Sequence, residues 1–230
     1  MSPDRPSAVD VRERPRYPVA EAARYVDLPP ATVRYWVKGR RPRPPLVLCP
    51  VQRPAVLAFL NLVELHVLAA VRRRQAVSVP RMHAALADLR GAEGAPGACR
   101  HPLANGQLAG EELDPFVERY GELANLTSDA RIVLRIVLRA ALRRVERDAA
   151  GIPLRLHPYT RNRTDGAPAI VVIDPGHADG RPTLVGTGLT TALLAHRFKA
   201  GASLAELARE HGRTANELEE AIRYELRPAF

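Results

Sequence analysis

The spacing of hydrophobic residues predicts a pair of short helices near the start of the folded chain. A first helix is indicated by apolar residues three or four positions apart, namely Val19, Ala22, Ala23 and Val26. Asp27-Leu28-Pro29 predicts a turn, because proline cannot continue a helix. A second helix is expected from Ala31 to about Val37, and Gly39 suits its left-handed end. The pattern is that of a helix-turn-helix.

The rest of the N-terminal part predicts one short extended segment and two further helices. Leu46-Val47-Leu48-Cys49 follows several prolines and predicts a strand, where a wing would lie beside the helix pair with Arg53 close by. Pro54 is expected to open a long helix that ends at Arg72-Arg73-Arg74. Ser78 predicts the N-cap of the next helix, which would bury Val79, Met82, Leu86 and Leu89.

The middle of the chain predicts a mixture of strands and helix. Residues 116–126 suggest one or two strands, and Ser128 would cap a long helix from about Asp129 to Ala149. Residues 152–158 predict a further strand. One face of that helix is broadly apolar, so we expect it to be mostly buried. The helix also carries an arginine at every fourth position, at Arg131, Arg135, Arg139, Arg143 and Arg147. This row is either a solvated edge or a set of pairs with an acidic partner.

The C-terminal part predicts a β-hairpin followed by three helices. Ile170 to Ile173 and Thr183 to Val185 predict two short strands joined by a Gly-rich turn, with a helix from Leu189 to Lys199. Two capping boxes, Ser203 with Glu206 and Thr214 with Glu217, each predict the start of a helix. These two helices form a second helix-turn-helix pattern.

Charge separates the two ends of the chain. Residues 1–90 hold 16 basic and 7 acidic side chains, whereas residues 91–230 hold 18 of each. The whole positive excess therefore lies in the N-terminal part, which favours a polyanion-binding module joined to a neutral remainder. The last predicted helix is acidic and would be repelled by phosphates, so we expect the second helix pair to bind protein.

The second helix of the first pair is the element expected to enter the major groove of DNA. Thr32, Arg34 and Tyr35 near its start would meet base edges or phosphates. Four further basic residues would follow the phosphate backbone, namely Lys38, Arg40, Arg41 and Arg43. These seven residues are the predicted DNA-binding set.

Residues 17 to about 90 resemble the DNA-binding domain of the MerR family. The resemblance is carried by YPVAEAARYVDLPPATVRYWVKGR and by FLNLVELHVLAAVRRRQAVSVPRMHAAL, which is similar to that family's third and fourth helices. It implies a winged helix-turn-helix that binds a double-stranded operator. It also implies a homodimer or a higher oligomer, since such proteins bind palindromic sites as dimers.

Residues 168 to about 226 resemble a small bacterial domain of the VapB antitoxin type, encoded beside PIN-domain ribonuclease toxins. The matching residues are Ile173-Asp174-Pro175, Gly180-Arg181-Pro182, Gly186-Thr187 and Ala200-Gly201-Ala202-Ser203. The resemblance implies an antitoxin that neutralises such a toxin and represses its own promoter. Glu217, Glu220, Arg135 and Arg139 are the residues predicted to contact the toxin.

The predicted fold is mainly α with short β elements. We expect a mobile arm at 1–16, a MerR-like winged helix-turn-helix at 17–92 and a linker at 93–110. A middle α/β segment at 111–165 would be followed by a small β-hairpin and helix-turn-helix domain at 166–230. The polar N-terminus and the lack of a long apolar run predict a cytoplasmic protein without a membrane segment.

No enzymatic, metal or cofactor site is predicted. Cys49 and Cys99 have no partner at metal-ligand spacing. Val172 to His177 resembles the zinc-ligand stretch of cell-wall amidases, but that chemistry needs further ligands and a larger domain. The remaining alternative is a MerR-type regulator that responds to a small ligand without a toxin partner. Such a sensor would need a pocket or a thiol cluster, and the spacing of Cys49 and Cys99 does not supply one.

Overall fold

A computed structural model describes residues 10–40, 44–74, 78–90, 99–160 and 168–227. These residues are mainly helical with a few short antiparallel strands, as the sequence predicts. One hydrophobic core extends from Tyr17 to Ile173, and a smaller core joins Val171 to Tyr224 in the C-terminal part. In the described residues, no helix is both long and apolar enough to cross a membrane.

The predicted helix pair at the start of the chain is confirmed. Strand β1 (Tyr17–Pro18) leads into α1 (Val19–Tyr25), and α2 (Pro30–Lys38) follows after a tight turn. Pro30 lies in the first turn of α2, where its missing N–H costs no hydrogen bond. At the other end, Gly39 takes a φ of 65°, a left-handed conformation that a glycine adopts without strain.

The predicted wing strand is displaced along the chain. The hairpin consists of β2 (Val51–Gln52) and β3 (Ala55–Leu57), and β1 pairs with the other edge of β3 to give the order β1-β3-β2. The segment predicted as a strand, 46–49, instead packs on α2, where the N–H groups of Leu46 and Val47 both donate to the carbonyl of Trp36. Pro54 lies in the hairpin turn and does not open a helix.

Two helices complete the N-terminal part. Helix α3 (Phe59–Arg74) begins five residues later than predicted and is buried on all sides from Leu62 to Val71, which is typical of a central core helix. Helix α4 (Val79–Arg90) matches its prediction. Residues 99–110, part of the predicted linker, contribute Leu103, Ala104 and Leu108 to the core and include a 3-10 turn at Gly106–Ala109.

The middle part is more helical than predicted. The expected strands at 116–126 are wrong, since α5 spans Leu113–Leu123 and buries Phe116, Val117 and Tyr120 at helical spacing. Helix α6 (Ser128–Leu142) is capped by Thr127, not Ser128, and ends seven residues earlier than predicted. The residues beyond it form β4 (Val145–Arg147), which pairs with β5 (Pro153–Leu156). The predicted strand at 152–158 is therefore confirmed.

The C-terminal part follows its prediction. Strands β6 (Val171–Val172) and β7 (Thr183–Leu184) form a hairpin. Three helices follow, which are α7 (Thr191–Lys199), α8 (Leu204–His211) and α9 (Ala215–Glu225). Both predicted capping boxes are present, with the hydroxyls of Ser203 and Thr214 accepting bonds from the N–H groups of Glu206 and Glu217.

Hydrogen bonds attach this C-terminal part to α1. The Tyr224 hydroxyl donates to the carbonyl of Tyr25 at 3.0 Å, and the Tyr17 hydroxyl donates to the carbonyl of Gly180 at 3.1 Å. Arg24 forms an ion pair with Glu225. Because both tyrosines are buried, these bonds satisfy carbonyls that water would otherwise have to reach. The face of α1 is thus covered, and α2 is the helix of the pair left open.

Candidate nucleic-acid interface

Helix α2 has one buried and one cationic face. Val33, Trp36 and Val37 are buried against the core. The opposite side exposes Arg34, Tyr35, Lys38 and, just beyond the helix, Arg40. Because α2 carries no acidic side chain, all charged groups on its outer face are basic. Four of the seven predicted DNA-binding residues therefore lie together on an open surface.

Thr32 lies at the edge of this face and joins it to a neighbouring helix. Its Oγ1 accepts a hydrogen bond of 2.8 Å from the exposed guanidinium of Arg72, at the end of α3. Arg72 thereby adds a cation to the surface that the sequence-based set omitted. The Arg72-Arg73-Arg74 triplet is the signal that could have indicated it.

Arg73, the next residue, has a structural role instead. Its Nη2 donates to the carbonyl of Val26 at 3.0 Å, and its guanidinium lies 5.6 Å from the centre of the Tyr159 ring. Burial lowers the pKa of Arg73 to about 10. Two neighbouring arginines of one triplet thus serve different purposes, which their sequence positions do not reveal.

The other predicted DNA contacts are only partly located. Arg41 and Arg43 lie outside the described residues. Arg53 is exposed at the turn of the β2–β3 hairpin. The hairpin follows α2 in the chain, so the order of helix, helix and hairpin agrees with the predicted order of elements.

The predicted partner-binding arginines of α6 pair with acids of α5. Arg135 Nε donates to Asp114 at 2.6 Å and its Nη2 to Glu118 at 3.2 Å. Arg139 lies 3.7 Å from the same Asp114 and remains about half exposed. Arg131 donates to Glu118 at 2.5 Å. These arginines therefore hold two helices of one chain together, and of the two predicted contacts Arg139 is the more accessible.

The predicted acidic contacts of α9 are also engaged within the chain. Glu217 completes a capping box and accepts a bond of 2.7 Å from Arg213. Glu220 is fully buried, so a partner protein would not reach it directly. Glu219 pairs with Arg223, and Glu225 with Arg24. The acidic character that distinguishes α9 in the sequence is largely neutralised on its surface.

Helix α6 exposes an apolar face that the sequence analysis assigned to the core. Ile132, Val133 and Ile136 are 51%, 42% and 57% exposed, whereas Leu134, Leu138 and Ala141 on the other side are buried. The helix is apolar on more of its circumference than α3 and α5 cover. Three adjacent exposed β-branched side chains on one helix are typical of a protein-binding surface.

A cavity of about 470 Å³ lies between the β4–β5 hairpin and the β6–β7 hairpin. Its polar lining includes Glu146, Arg155, His157, Asp174 and His177. His157 Nε2 lies 2.6 Å from Glu146, and Arg155 donates to Asp174 at 2.9 Å. The bond with His157 is the largest of the interactions that lower the pKa of Glu146.

The same cavity bears on the amidase alternative, because His177 lines it. Among the described residues, no three His, Cys, Asp or Glu side chains converge in a way that could hold a metal ion. Cys49 and Cys99 are both free thiols, and burial raises the pKa of each. The cavity therefore offers hydrogen-bonding groups and ion pairs but no metal-ligand cluster in the part of the chain described.

Comparison with known proteins gives matches over most of the chain. Residues 171–224 match the family described as "Protein of unknown function (DUF433)". The uncharacterized protein Rv2308 of Mycobacterium tuberculosis (strain ATCC 25618 / H37Rv) is 26% identical over 237 residues, which cover 95% of this chain and 93% of that protein. "Putative antitoxin VapB45" of the same organism is 28% identical over 234 residues, which cover 90% of this chain and 92% of that protein.

A solved structure shows the same fold. The X-ray crystal structure of Rv2018 from Mycobacterium tuberculosis superimposes with a TM-score of 0.68 at 24% identity, and the match covers 91% of this chain and 98% of that chain. The likeness therefore extends well beyond the C-terminal segment that matches the family of unknown function.

Proposed function

We propose that this protein is a DNA-binding antitoxin of a type II toxin-antitoxin system. Its MerR-like N-terminal part binds its own promoter as a dimer and represses it, and the remainder neutralises a PIN-domain ribonuclease. It acts in the cytoplasm as a binding protein, not as an enzyme. The exposed cationic face of α2, which contains no acid, is the observation that carries the DNA-binding half of the proposal.

The antitoxin half rests on similarity. The relative named "Putative antitoxin VapB45" aligns over 90% of this chain, and the C-terminal family match falls within the segment that resembles antitoxin domains. The charge distribution supports the division of labour, because the basic excess lies entirely in residues 1–90. A neutral body suits protein binding better than phosphate binding.

The DNA-binding half is tested by removing two charges from α2. Arg34→Ala with Lys38→Ala should weaken binding to the protein's own promoter fragment at least about 100-fold, since each charge-assisted hydrogen bond contributes about 1.5–3 kcal/mol. The slope of log affinity against log salt concentration should also fall by roughly two. Fluorescence anisotropy of labelled DNA at several salt concentrations measures both quantities.

A matched control removes two charges elsewhere. Lys199→Ala with Arg209→Ala takes the same charge from exposed sites on α7 and α8 and should change promoter affinity by less than about threefold. Equal losses in the two double mutants would mean that net charge, not α2, determines binding. Unchanged affinity in the α2 mutant would remove the assignment altogether.

The antitoxin half is tested with the protein encoded in the adjacent reading frame. If that frame encodes an acidic PIN-type nuclease, the purified chain should inhibit its ribonuclease activity at equimolar concentration. The Arg34→Ala, Lys38→Ala mutant should inhibit equally well, because α2 is not required for toxin binding. Absence of such a gene, or undiminished nuclease activity, would contradict this half alone.

The cavity between the β4–β5 and β6–β7 hairpins supports a second candidate function. A MerR-type regulator that senses a small molecule needs a pocket, and about 470 Å³ with both carboxylate and guanidinium groups would hold a small polar ligand. Under this alternative, a cell metabolite fraction would change promoter affinity without any toxin. Arg155→Ala, which removes the central ion-pair donor of the cavity, would abolish that response.

A further inference from the structure

The exposed face of α6 has an order along the helix as well as an apolar character. Asp129 lies in its first turn, Ile132, Val133 and Ile136 follow, and Arg139 and Arg143 lie towards its end. At roughly 100° per residue, all of these lie within about 60° of Ile136 around the helix axis. The face therefore has an acidic start, an apolar centre and a basic end.

The acidic end and the basic end of this face lie at equal distances from Ile136. Asp129 and Arg143 are each seven residues from it, and Ile132 and Ala140 are each four residues from it. When such a helix packs antiparallel against a copy of itself, residues at equal distances from the centre meet. Each acidic start would then oppose a basic end, and the apolar centres would meet on the two-fold axis.

The basic end of the α6 face borders a cavity lined by arginines. A cavity of about 410 Å³ is lined by Arg139, Arg143 and Arg147 together with Ala109, Leu142 and Val145, and no carboxylate of the described chain lines it. Arg147 donates to two backbone carbonyls of its own chain, and burial lowers its pKa. Asp129 of a second copy would add a carboxylate to this group of guanidinium groups.

We propose that α6 is the dimerisation helix of this protein, packed antiparallel on α6 of a second copy with Ile136 at the two-fold axis. Asp129 of each copy approaches the arginine end of the other. A partner of different sequence would need to match the acidic, apolar and basic zones in reverse order, whereas a second copy matches them by symmetry. The assignment rests on the proposed function only in that a dimer presents two α2 helices to a palindromic operator.

The first test changes the centre of the face. Ile136→Arg places two like charges on the axis and should raise the dimer dissociation constant at least about tenfold. Light scattering coupled to size exclusion, over a wide range of protein concentration, measures the dissociation constant. Leu193→Arg is the matched control, because Leu193 is a comparably exposed apolar residue on α7, and this variant should remain dimeric. Equal behaviour of the two variants would overturn the proposal.

The second test exchanges the two ends. Asp129→Arg alone and Arg143→Asp alone should each weaken the dimer, because like charges then face each other. The double exchange should restore it to within about threefold of the original affinity. Rescue cannot arise within one chain, since the two positions lie about 21 Å apart along the helix. Failure of the double exchange to rescue would contradict the antiparallel register.

The outcome is separable from the proposed function. If the chain stays monomeric at every concentration, this inference is wrong, even if the chain binds DNA and inhibits a nuclease. Conversely, the Arg34→Ala, Lys38→Ala mutant should still form the dimer, whatever α2 binds. If a purified toxin protects the α6 face from hydrogen exchange while the free chain is monomeric, the face belongs to that partner and the inference is wrong.

Discussion

Two helix pairs of the described chain, α1–α2 and α8–α9, use their charges differently. Basic residues of α2 project outward from a helix without acids. The acids of α9 are bound to a cap, to neighbouring arginines or within the core. The charge that a helix carries in the sequence therefore differs from the charge that it presents to a partner. Side chains that cap a helix or cross-link the fold are no longer available for binding.

The two helix pairs also differ in the interactions that stabilise them. Helix α2 has no side-chain N-cap and depends on a single large anchor, Trp36, which is 2% exposed. Helices α8 and α9 each have a capping box and share a small core of aliphatic residues with one tyrosine. The first pair is therefore stabilised mainly by burial and the second by burial together with local hydrogen bonds.

The largest expected effect comes from removing the anchor of the first pair. Trp36→Ala should lower the free energy of unfolding by about 3–5 kcal/mol, because it leaves a cavity beneath α2. Chemical denaturation followed by circular dichroism measures the loss. Promoter affinity should fall as well, since α2 and its cationic face would no longer be fixed against the core. A loss below about 1 kcal/mol would mean that α2 is supported chiefly by other contacts.

A smaller effect is expected from the cap of the second pair. Thr214→Ala removes the hydroxyl that accepts from the Glu217 N–H at 3.3 Å and should cost about 1 kcal/mol of unfolding free energy. Thr214→Ser keeps the hydroxyl and serves as the matched variant, with little expected loss. Promoter affinity should be unchanged in both. If DNA binding fell with Thr214→Ala, the two helix pairs would be coupled more closely than their separate cores suggest.

The smallest expected effect is a difference in how the stability of the α3 region and of the α8–α9 region depends on pH. His101, beside α3, lies 3.1 Å from Glu64 and 3.2 Å from Glu13. Burial alone would lower the pKa of His101, but the two carboxylates outweigh it and the net shift is upward. Its stabilising contribution is therefore complete below about pH 6.5, the ordinary value, and is lost as the pH rises through the folded pKa.

The second helix pair should respond in the opposite direction. Hydrogen bonds from the cap residues lower the pKa of Glu206 and of Glu217. Their contribution is present above the ordinary value of 4.5 and is lost as the pH falls through the folded pKa. Hydrogen exchange of individual peptides, corrected for intrinsic rates, should show the α3 region weakening on the alkaline side and the α8–α9 region on the acidic side. Parallel responses would contradict this assignment.

Local signals in the sequence located many of the elements correctly. The turn between α1 and α2, the left-handed Gly39 and both capping boxes depend on residues within about four positions of each other, so the sequence alone determines them. The same holds for α4 and for the C-terminal hairpin. In the candidate site, the exposed basic residues of α2 follow from the helical period, because Val33, Trp36 and Val37 fix which side is buried.

The wrong predictions of helices and strands arose where the local residue pattern fitted more than one secondary structure. Phe116, Val117 and Tyr120 fit helical spacing, but their β-branched and aromatic character favoured strands. Helix α6 had no stop signal of its own, and its end after Leu142 is set by the pairing of β4 with β5. The hairpin at 51–57 was misplaced because it depends on β1, more than thirty residues earlier, pairing with β3.

By itself, the sequence determined that this protein has a basic front part with a helix-turn-helix and a neutral body with two capped helices, since charge and capping are properties of neighbouring residues. Only the tertiary structure decided which charges reach the surface and which apolar face stays open. Arg72 and Arg73 are adjacent, yet Arg72 is exposed and Arg73 is half-buried; Glu220 is buried, and Ile136 is exposed. Such outcomes depend on which helices pack together, and a helical period specifies a face without specifying what covers it.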